Sequence, residues 1–320
     1  MRIAFLNLCH CDSDVVKRVA DRLTAHPDFD MYIHVDAKAD ITPFKEKLSD
    51  NKQVHFVKNR HKVYWGGYNA ILATMELINE ALKSARKYDY FILLQNLDYP
   101  IKSNEYIEQF FAKNPDIEYI RGCKIACTKD WHYARKYRLY NSRDKEYYLK
   151  KHSKLNRMFH NAINLVKSIS TIGFNGIVKD SGDVLYMHYG AAQWAVTREC
   201  AEYFAKFYDT HKKFNKKMMH VQFPDEEYFH TIVHSNDKFR LRCIKHDEPE
   251  KRWLVNWRNI HYFEFPKAVT VFEKKDYEKL ITREELFIRK VKTGISDELM
   301  DMIDAATKTD TKDGEGLWKN

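Results

Sequence analysis

The chain has 320 residues and 44% hydrophobic content, enough for a sizeable core in one large domain or two fused ones. Its six cysteines are too sparse for a disulfide scaffold, and no apolar stretch approaches the ~18 residues of a membrane span. The first residues also form too short an apolar run for a signal peptide. We therefore expect a cytoplasmic protein, which at most attaches peripherally to the inner face of a membrane. Its net charge is +9.

Short apolar runs alternate with helical patterns over the first 121 residues. The runs predict strands at 2–8, 31–35, 54–57, 90–94 and 117–120. Between them, a helix capped by Asp12 or Ser13 extends to about residue 25, a second covers 69–86, and a third follows Ser103. This alternation predicts an α/β fold with a mostly parallel central sheet flanked by helices on both faces.

Ligands of such sheets bind at the carboxyl ends of the strands. We therefore expect the chemistry in the segments that follow the predicted strands, at residues 9–14, 36–40, 61–68 and 95–102.

The middle of the chain is basic and rich in tyrosine. Residues 129–157 carry ten Lys or Arg against three Asp or Glu, an excess of +7. Such an excess indicates an anionic neighbour (a phosphate, a lipid headgroup or a nucleic acid) or simply a solvated helix face. Within 145–169 we predict a helix with one apolar stripe, formed by Leu155, Phe159, Ala162, Val166 and Ile169.

We expect a single domain over residues 1–300. The basic segment at about 130–185 would be an insertion that is mobile or faces a substrate, and residues 301–320 would be a polar, disordered tail.

Several phosphate-binding and metal-binding patterns are absent. No Gly-x-Gly-x-x-Gly follows the first strand, and no Gly-rich loop ends in Lys and Ser or Thr. Asp98 follows the most apolar strand but has no carboxylate two residues away to help hold a divalent cation. Cys9 and Cys11 lack the usual zinc spacing. The sequence disfavours a dinucleotide enzyme and a P-loop NTPase, and we predict no metal site.

Two segments each allow two interpretations. Trp65 and Gly66 lie in a stretch where glycine lets the backbone approach a ligand, or where a loop simply turns into a helix. Pro224, Asp225 and Glu226 make an ordinary helix start, since the helix dipole favours acids there, or they supply a catalytic carboxylate.

Taken together, seven segments resemble the Core-2/I-branching β-1,6-N-acetylglucosaminyltransferase family, which includes peptide O-xylosyltransferases. They occur in the family's order and cover residues 2 to about 291. The segments are Ile33-His34-Val35-Asp36, Val63-Tyr64-Trp65-Gly66-Gly67, Leu97-Asp98-Tyr99-Pro100-Ile101-Lys102, Tyr189-Gly190-Ala191-Ala192-Gln193-Trp194, Pro224-Asp225-Glu226, Pro266-Lys267 and Leu286-Phe287-Ile288-Arg289-Lys290.

The resemblance implies a GT-A-like fold and an inverting, metal-independent transfer of a sugar from a UDP donor to an acceptor hydroxyl. The sugar would be N-acetylglucosamine or xylose, no cofactor would be needed, and the acceptor would be a glycan or a lipid-linked saccharide. By family position the catalytic base is Glu226. The donor-binding residues implied are Asp36, Trp65, Gly66, Asp98, Lys267 and Lys290.

On the acceptor side, the resemblance implies Trp131, Arg135, Tyr137, Gln193 and Trp257. The chain departs from the family at Ala191 and Ala192, where many relatives have Gly-Ser or Ser, and at Lys267 and Lys290, where some have Arg. It also lacks the secretory anchor and disulfide cysteines of the animal enzymes, so their acceptors do not carry over.

Two alternatives stay open at this point. The basic segment 129–157 could bind nucleic acid, although no zinc-finger or RNP pattern supports this and we expect no nucleic-acid partner. The chain could also be a sugar-binding module without turnover, against which the presence of Glu226 argues.

Overall fold

The computed structural model describes residues 1–141, 143–144, 154–244 and 258–309. The strands are β1 Ile3–Cys9, β2 Phe29–Val35, β3 Val54–Phe56, β4 Tyr90–Gln95, β5 Asp98–Pro100, β6 Cys123–Lys124, β7 Ile177–Asp180, β8 Asp183–Tyr186, β9 His188–Tyr189, β10 Ala195–Thr197, β11 His261–Phe263 and β12 Phe287–Arg289. The helices are α1 Ser13–Leu23, α2 Thr42–Lys47, α3 Asn69–Lys83, α4 Asn104–Lys113, α5 Trp131–Arg138, α6 Lys154–Ser168, α7 Arg198–Thr210, α8 Lys212–Met218, α9 Tyr228–His234, α10 Asp237–Arg242, α11 Tyr277–Ile281 and α12 Asp297–Thr309.

The main sheet, as far as the structure describes the chain, has five strands in the order β10-β4-β1-β2-β3. Strands β4, β1, β2 and β3 run parallel, and β10 pairs antiparallel with β4 at one edge. The mostly parallel α/β sheet predicted from the sequence is confirmed.

The central strands are apolar on both faces because helices cover both faces of a parallel sheet. In β1, Ile3 and Phe5 join the core beneath α1, α4 and α12, whereas Ala4 and Leu6 join the core beneath α3, α7 and α9. All four side chains are fully buried. The sheet is therefore rigid, and its carboxyl edge is a stable base for a site.

A smaller sheet stands beside this edge, with the order β11-β12-β5. β5 begins almost directly after β4 and pairs antiparallel with β12, so that Asp98 lies opposite Arg289. Residues from the C-terminal part of the chain are thereby brought to the end of the first sheet.

The local start signals were predicted correctly. Asp12 caps α1 by accepting from the Val15 amide, and Ser103 caps α4 by accepting from the Tyr106 amide. The predicted strand at 117–120 is wrong, because this segment forms only isolated bridges, from Glu118 to Cys243 and from Tyr119 to Ala195.

The predicted boundary at residue 300 is also wrong, because α12 continues to Thr309. Its Leu299, Met300 and Ile303 are buried, and Asp304 accepts hydrogen bonds from Arg18 and Arg22 of α1. These contacts hold the helix on the domain although its sequence is polar overall. The remainder of the expected tail, 310–320, lies outside the described residues.

No helix in the described parts of the chain is both long and apolar enough to cross a bilayer.

Candidate functional site

A cleft of about 500 Å³ opens at the carboxyl edge of the main sheet. Its walls come from four of the loops that were expected to carry the chemistry, those after β1, β2, β3 and β4, together with Asp225 and Arg289. Asp36, Trp65 and Gly66, three of the residues predicted to bind a donor, line this cleft. The location agrees with the rule that ligands bind where parallel strands end.

Side-chain hydrogen bonds hold the walls of the cleft in place. Asn96 accepts from the amides of His10 and Cys11, at 2.5 and 2.8 Å, and thereby joins the loops after β1 and β4. Arg60 donates to the carbonyls of Val35, Asp36 and Ala39 and holds the loop after β2. Hydrogen bonds within the protein thus fix the positions of these loops.

Charged side chains of both signs line the cleft. Lys38 and Arg289 are its cations, Asp36 and Asp225 its carboxylates, and Lys38 forms an ion pair with Asp36. His10 also faces the cleft; its pKa is lowered chiefly by burial and further by the charges of Lys38, Arg289 and Lys290, against the opposing effect of Asp36. Lys38 and Arg289, with the charge of Lys290 nearby, can meet an anionic ligand such as a diphosphate.

Asp98, predicted to contact the donor, is buried beneath the cleft and is not one of its lining residues. Its carboxylate accepts from Arg289 Nη1 at 2.7 Å and from the Gln95 amide at 2.7 Å, and His261 Nε2 lies 3.2 Å away. Burial disfavours its charged form, but Arg289 and His261 outweigh this effect, and the pKa of Asp98 lies below its usual range. Its geometry is that of a residue that orients Arg289.

Gly66 occupies a position that only glycine fits. Its φ is +73°, and a Cβ there would lie 2.7 Å from the Phe223 ring. The neighbouring Trp65 is 80% exposed and packs edge-on against the same ring, with centroids 4.5 Å apart. An exposed indole held in place beside the cleft is suited to stacking on a ring of a ligand.

Glu226, the predicted catalytic base, lies in a 3-10 turn, Pro224–Glu226, that precedes α9. Its Oε2 accepts from Lys136 Nζ of α5 at 3.0 Å, and 17% of its side chain is exposed. Asp225, rather than Glu226, lines the cleft. Glu226 instead faces α5, where its charge reaches His132. The Glu226 carboxylate therefore stands between the cleft and α5.

The acids flanking Glu226 differ from it in burial. Glu227 is completely buried, and neither of its carboxylate oxygens has a hydrogen-bond partner among the residues that the structure describes; burial raises its pKa well above the usual range. Burial and then the charge of Glu226 raise the pKa of Asp225. Helix α9 begins without a side-chain cap. The turn nevertheless begins with Pro224 and carries Asp225 and Glu226 behind it, so the interpretation of these residues as a helix start is confirmed, and a catalytic role for Glu226 remains a proposal.

Gly190, which directly follows β9, holds the Glu226 turn by its backbone. The Gly190 amide donates to the Glu226 carbonyl at 2.9 Å. A Cβ at Gly190 would lie 2.2 Å from the Arg121 carbonyl oxygen and 2.5 Å from the His230 ring. The His230 ring is fully buried and the Arg121 oxygen belongs to the backbone, so neither moves away easily.

We expect Gly190→Ala to lower the free energy of unfolding by about 1–3 kcal/mol, because the added methyl overpacks a closed space. It should also lower turnover, since it displaces the Glu226 backbone. Urea unfolding measures the first effect. Gly173→Ala is the matched control, because a Cβ there meets no atom within 4 Å. Equal losses in the two variants would contradict this account.

The residues predicted on the acceptor side have different environments. Trp131 is 50% exposed at the start of α5, and Arg135 is exposed one turn further along the same face. Tyr137 is buried, and its hydroxyl donates to the Ile125 carbonyl at 3.1 Å. The prediction that Tyr137 contacts an acceptor is therefore not supported, because the side chain anchors α5 to the core.

Gln193, the fourth acceptor-side residue, is buried. Its Nε2 donates to Gln95 Oε1 at 3.0 Å, and Gln95 lines the cleft, so Gln193 affects the cleft through Gln95. Lys267, predicted to bind phosphate, is exposed in the loop after β11, and this loop returns at Thr270, whose carbonyl accepts from the Lys290 amide. Trp257 lies outside the described residues.

Three histidines, His188, His230 and His234, pack behind the Glu226 turn; His188 and His230 are buried and His234 is partly buried. The rings of His188 and His234 are stacked with centroids 4.9 Å apart. Burial, followed by the charge of His234, lowers the pKa of His188 to about 3, and burial lowers the pKa of His234 to about 4. In the unfolded chain these groups titrate near 6.5.

When folding depresses the pKa of a histidine, the unfolded chain binds the proton more tightly than the folded protein does. The folded protein therefore becomes less stable as the pH falls below the pKa of the unfolded state. Between about pH 7.5 and about pH 5, we expect the free energy of unfolding to fall by about 2 kcal/mol for each of His188 and His234. Urea unfolding at the two pH values measures this. His234→Gln should remove its share of the pH dependence, and an unchanged dependence in that variant would count against neutral burial.

A further cavity, of about 620 Å³, lies between α1 and α12 and contains none of the predicted site residues. Arg18 and Arg22 line it, and both pair with Asp304. Within the ranges that the structure describes, no three His, Cys, Asp or Glu side chains converge on a candidate metal site.

The fold and cleft define an α/β protein that binds an anionic ligand at the carboxyl edge of its sheet. The chain belongs to the Core-2/I-branching enzyme family, whose model matches residues 3–281. The fold is accordingly GT-A-like, as the resemblance implied.

Among its relatives are xylosyltransferases. The chain is 27% identical to "Xylosyltransferase" of Ciona intestinalis over 124 residues, which cover 38% of this chain and 14% of that protein. It is 22% identical to "Xylosyltransferase 2" of Rattus norvegicus and of Homo sapiens over 331 aligned positions, which cover 95% of this chain and 33% of each relative. The chain thus spans about a third of the length of these two curated relatives.

Sequence reasoning missed the two cations that organise the site. Arg289 lies in the segment Leu286–Lys290 that resembles the family, next to Lys290, which was predicted to bind the donor. Its position opposite Asp98 follows only from strand pairing. Lys136 follows directly on the chosen Arg135. Its helical position puts it on the inner face of α5, so helical periodicity could have identified it as buried.

Proposed function

We propose that this protein is an inverting glycosyltransferase that moves a sugar from UDP to an acceptor hydroxyl without a metal ion. The observation that carries the proposal is the single cleft shared by Asp36, Trp65, Gly66 and Arg289. Family membership supports a transferase over a nucleic-acid-binding protein. The use of Lys136 and Arg138 for internal contacts also weakens the case for a continuous nucleic-acid-binding surface, since both belong to the basic segment.

The donor would bind with its diphosphate toward the cations. Asp36 would contact the nucleoside, and Trp65 would pack on a ring of the donor. Arg289 and Lys290, with Lys267 from the neighbouring loop, would stabilise the charge that develops on the β-phosphate as UDP leaves. Asn96 stands two residues before Asp98, where a metal-dependent transferase would have a carboxylate, and this supports the metal-independent form.

The transfer would be one displacement. The acceptor oxygen forms a bond to the anomeric carbon while the bond from that carbon to the UDP oxygen breaks on the opposite side, which gives a β-linked product. Glu226 takes the proton of the acceptor hydroxyl, a contribution of roughly 10²–10⁴-fold. Its ion pair with Lys136 orients the carboxylate toward α5, where Trp131 and Arg135 are exposed to an acceptor.

The transferred sugar would be N-acetylglucosamine or xylose, and the acceptor a glycan or a lipid-linked saccharide. The resemblance of the seven sequence segments to N-acetylglucosaminyltransferases supports the first sugar, and the names of the relatives support the second. A thermal-shift comparison of UDP-N-acetylglucosamine with UDP-xylose would distinguish the two.

We expect UDP to stabilise the protein equally in the presence of EDTA and of Mn²⁺. At a ligand concentration of about 100 times Kd, the stabilisation should be about 2.7 kcal/mol. Thermal unfolding with UDP under each condition measures it, and uridine is the control for the diphosphate. Loss of the UDP shift on chelation would overturn the metal-independent mechanism.

A further inference from the structure

Helix α6 turns its apolar side to solvent. Leu155, Met158, Phe159, Leu165 and Val166 are each 64–76% exposed. They recur at intervals that put them on one face of the helix, and Ile169, 75% exposed, continues that face beyond its end. A contiguous exposed apolar face of this kind marks a surface that binds something.

The inward side of α6 is polar, which is the reverse of an ordinary surface helix. Asn164 and Ser168 are buried. Ser168 Oγ accepts from the Tyr140 amide at 2.8 Å and donates to the Asn164 carbonyl at 2.7 Å. Just beyond the helix, Thr171 donates to the Arg138 carbonyl at 2.6 Å. These bonds fix the rotation of α6 about its axis. Because they hold its polar side against the protein, its apolar face points toward solvent.

Cations lie close to this face. Residues 154–179 contain no Asp or Glu. Lys167 is exposed on α6, and its charge acts on His220 together with those of Lys216 and Lys217 from α8. Lys217 lies 3.9 Å from the ring of Phe174, in the segment that follows α6. Helix α6 and the elements beside its C-terminal end therefore carry positive charge, without acids in residues 154–179 to oppose it.

We propose that the apolar face of α6 docks on an anionic lipid surface. Leu155, Phe159, Leu165, Val166 and Ile169 enter the boundary between headgroups and acyl chains, and Lys167, Lys216 and Lys217 meet lipid phosphates. An apolar helix face with Lys at its edge is the pattern by which amphipathic helices bind such membranes. A second copy of this chain is disfavoured as the partner, because two such faces bring like charges together.

Docking would also set the orientation of the molecule. Helix α6 is hydrogen-bonded to residues 138–140 at the end of α5, and Lys136 of α5 reaches Glu226. The surface that docks is thus attached to the same helix as the acceptor side of the site. The docking itself does not depend on the proposed reaction.

The test is co-sedimentation of the full chain with vesicles at low salt. Vesicles of equal parts phosphatidylglycerol and phosphatidylcholine should bind the protein, and phosphatidylcholine alone should bind it far less. The double variant Leu165→Glu, Val166→Glu should weaken binding by roughly tenfold or more, because two apolar anchors are lost. Leu241→Glu is the matched control, since Leu241 is 64% exposed on α10, and it should bind as the unaltered chain does.

A second variant, Lys167→Gln, Lys216→Gln, Lys217→Gln, leaves the apolar face intact and should weaken binding to the anionic vesicles and reduce its salt dependence. Thermal unfolding without added ligand verifies that each variant is folded. Absence of binding by the unaltered chain would overturn the proposal, as would equal losses for the Leu165 and Leu241 variants. A concentration-dependent dimer that the Leu165 and Val166 changes abolish would overturn it in favour of a second copy.

Discussion

Glu226→Gln should retain the fold and UDP affinity while turnover falls by roughly 10²-fold or more. Glutamine keeps the shape of the side chain, and its oxygen still accepts from Lys136, but it does not take a proton from an acceptor hydroxyl. Because the bond to Lys136 loses its ionic character, the free energy of unfolding should fall by about 1–3 kcal/mol. UDP release from the donor sugar measures turnover, and urea unfolding measures stability.

Asp225→Asn and Glu227→Gln are the internal controls for this prediction. Glu227 is fully buried away from the cleft, and burial raises its pKa, so its amide variant should turn over almost normally. Asp225 faces the cleft, so Asp225→Asn should alter UDP affinity more than the chemical step. If Asp225→Asn abolishes turnover and Glu226→Gln does not, the catalytic base is Asp225 and the assignment of Glu226 fails.

Asp98→Asn should lower the free energy of unfolding by about 3 kcal/mol and weaken UDP binding at the same time. The change removes one partner of a buried ion pair and leaves Arg289 uncompensated beside His261. Arg289 would then no longer be held toward the cleft. Urea unfolding and UDP titration, both near neutral pH, measure the two effects.

Arg289→Gln separates the two roles that Asp98 could have. Arg289 is partly exposed in the cleft, so this variant should lose UDP affinity with a smaller loss of stability than Asp98→Asn. If Asp98 contacted the donor directly, as the family position implies, Asp98→Asn would lose affinity without a large loss of stability. The two measurements on the two variants therefore distinguish an orienting residue from a binding one.

The architecture of the main sheet could be predicted from the sequence because its signals are local. Strand β1 is a continuous apolar run, and helix α3 carries its apolar residues at helical intervals, so each element reports its own burial. The segments that line the cleft followed from the same information, since the strand ends of a parallel sheet share one edge.

The segment at 117–120 is a case in which local information failed. It is apolar enough for a strand, but whether it forms one depends on partners far away in the chain. Tyr119 meets only Ala195, and Glu118 meets Cys243, so pairing stops at isolated bridges. Similarly, α12 has a polar sequence and is held in place by Arg18 and Arg22, whose contribution is invisible from residues 297–309 alone.

By itself, the sequence determined the α/β class, the caps of α1 and α4, and which loops would meet at the carboxyl edge, because propensity and periodicity act over a few residues. Only the tertiary structure decided that Glu226 pairs with Lys136, that Asp98 holds Arg289, that Tyr137 is buried and that α6 faces outward. Each of these depends on contacts between residues far apart in the chain or on the rotation of a helix. Such contacts arise from the packing of whole elements, and no local pattern encodes them.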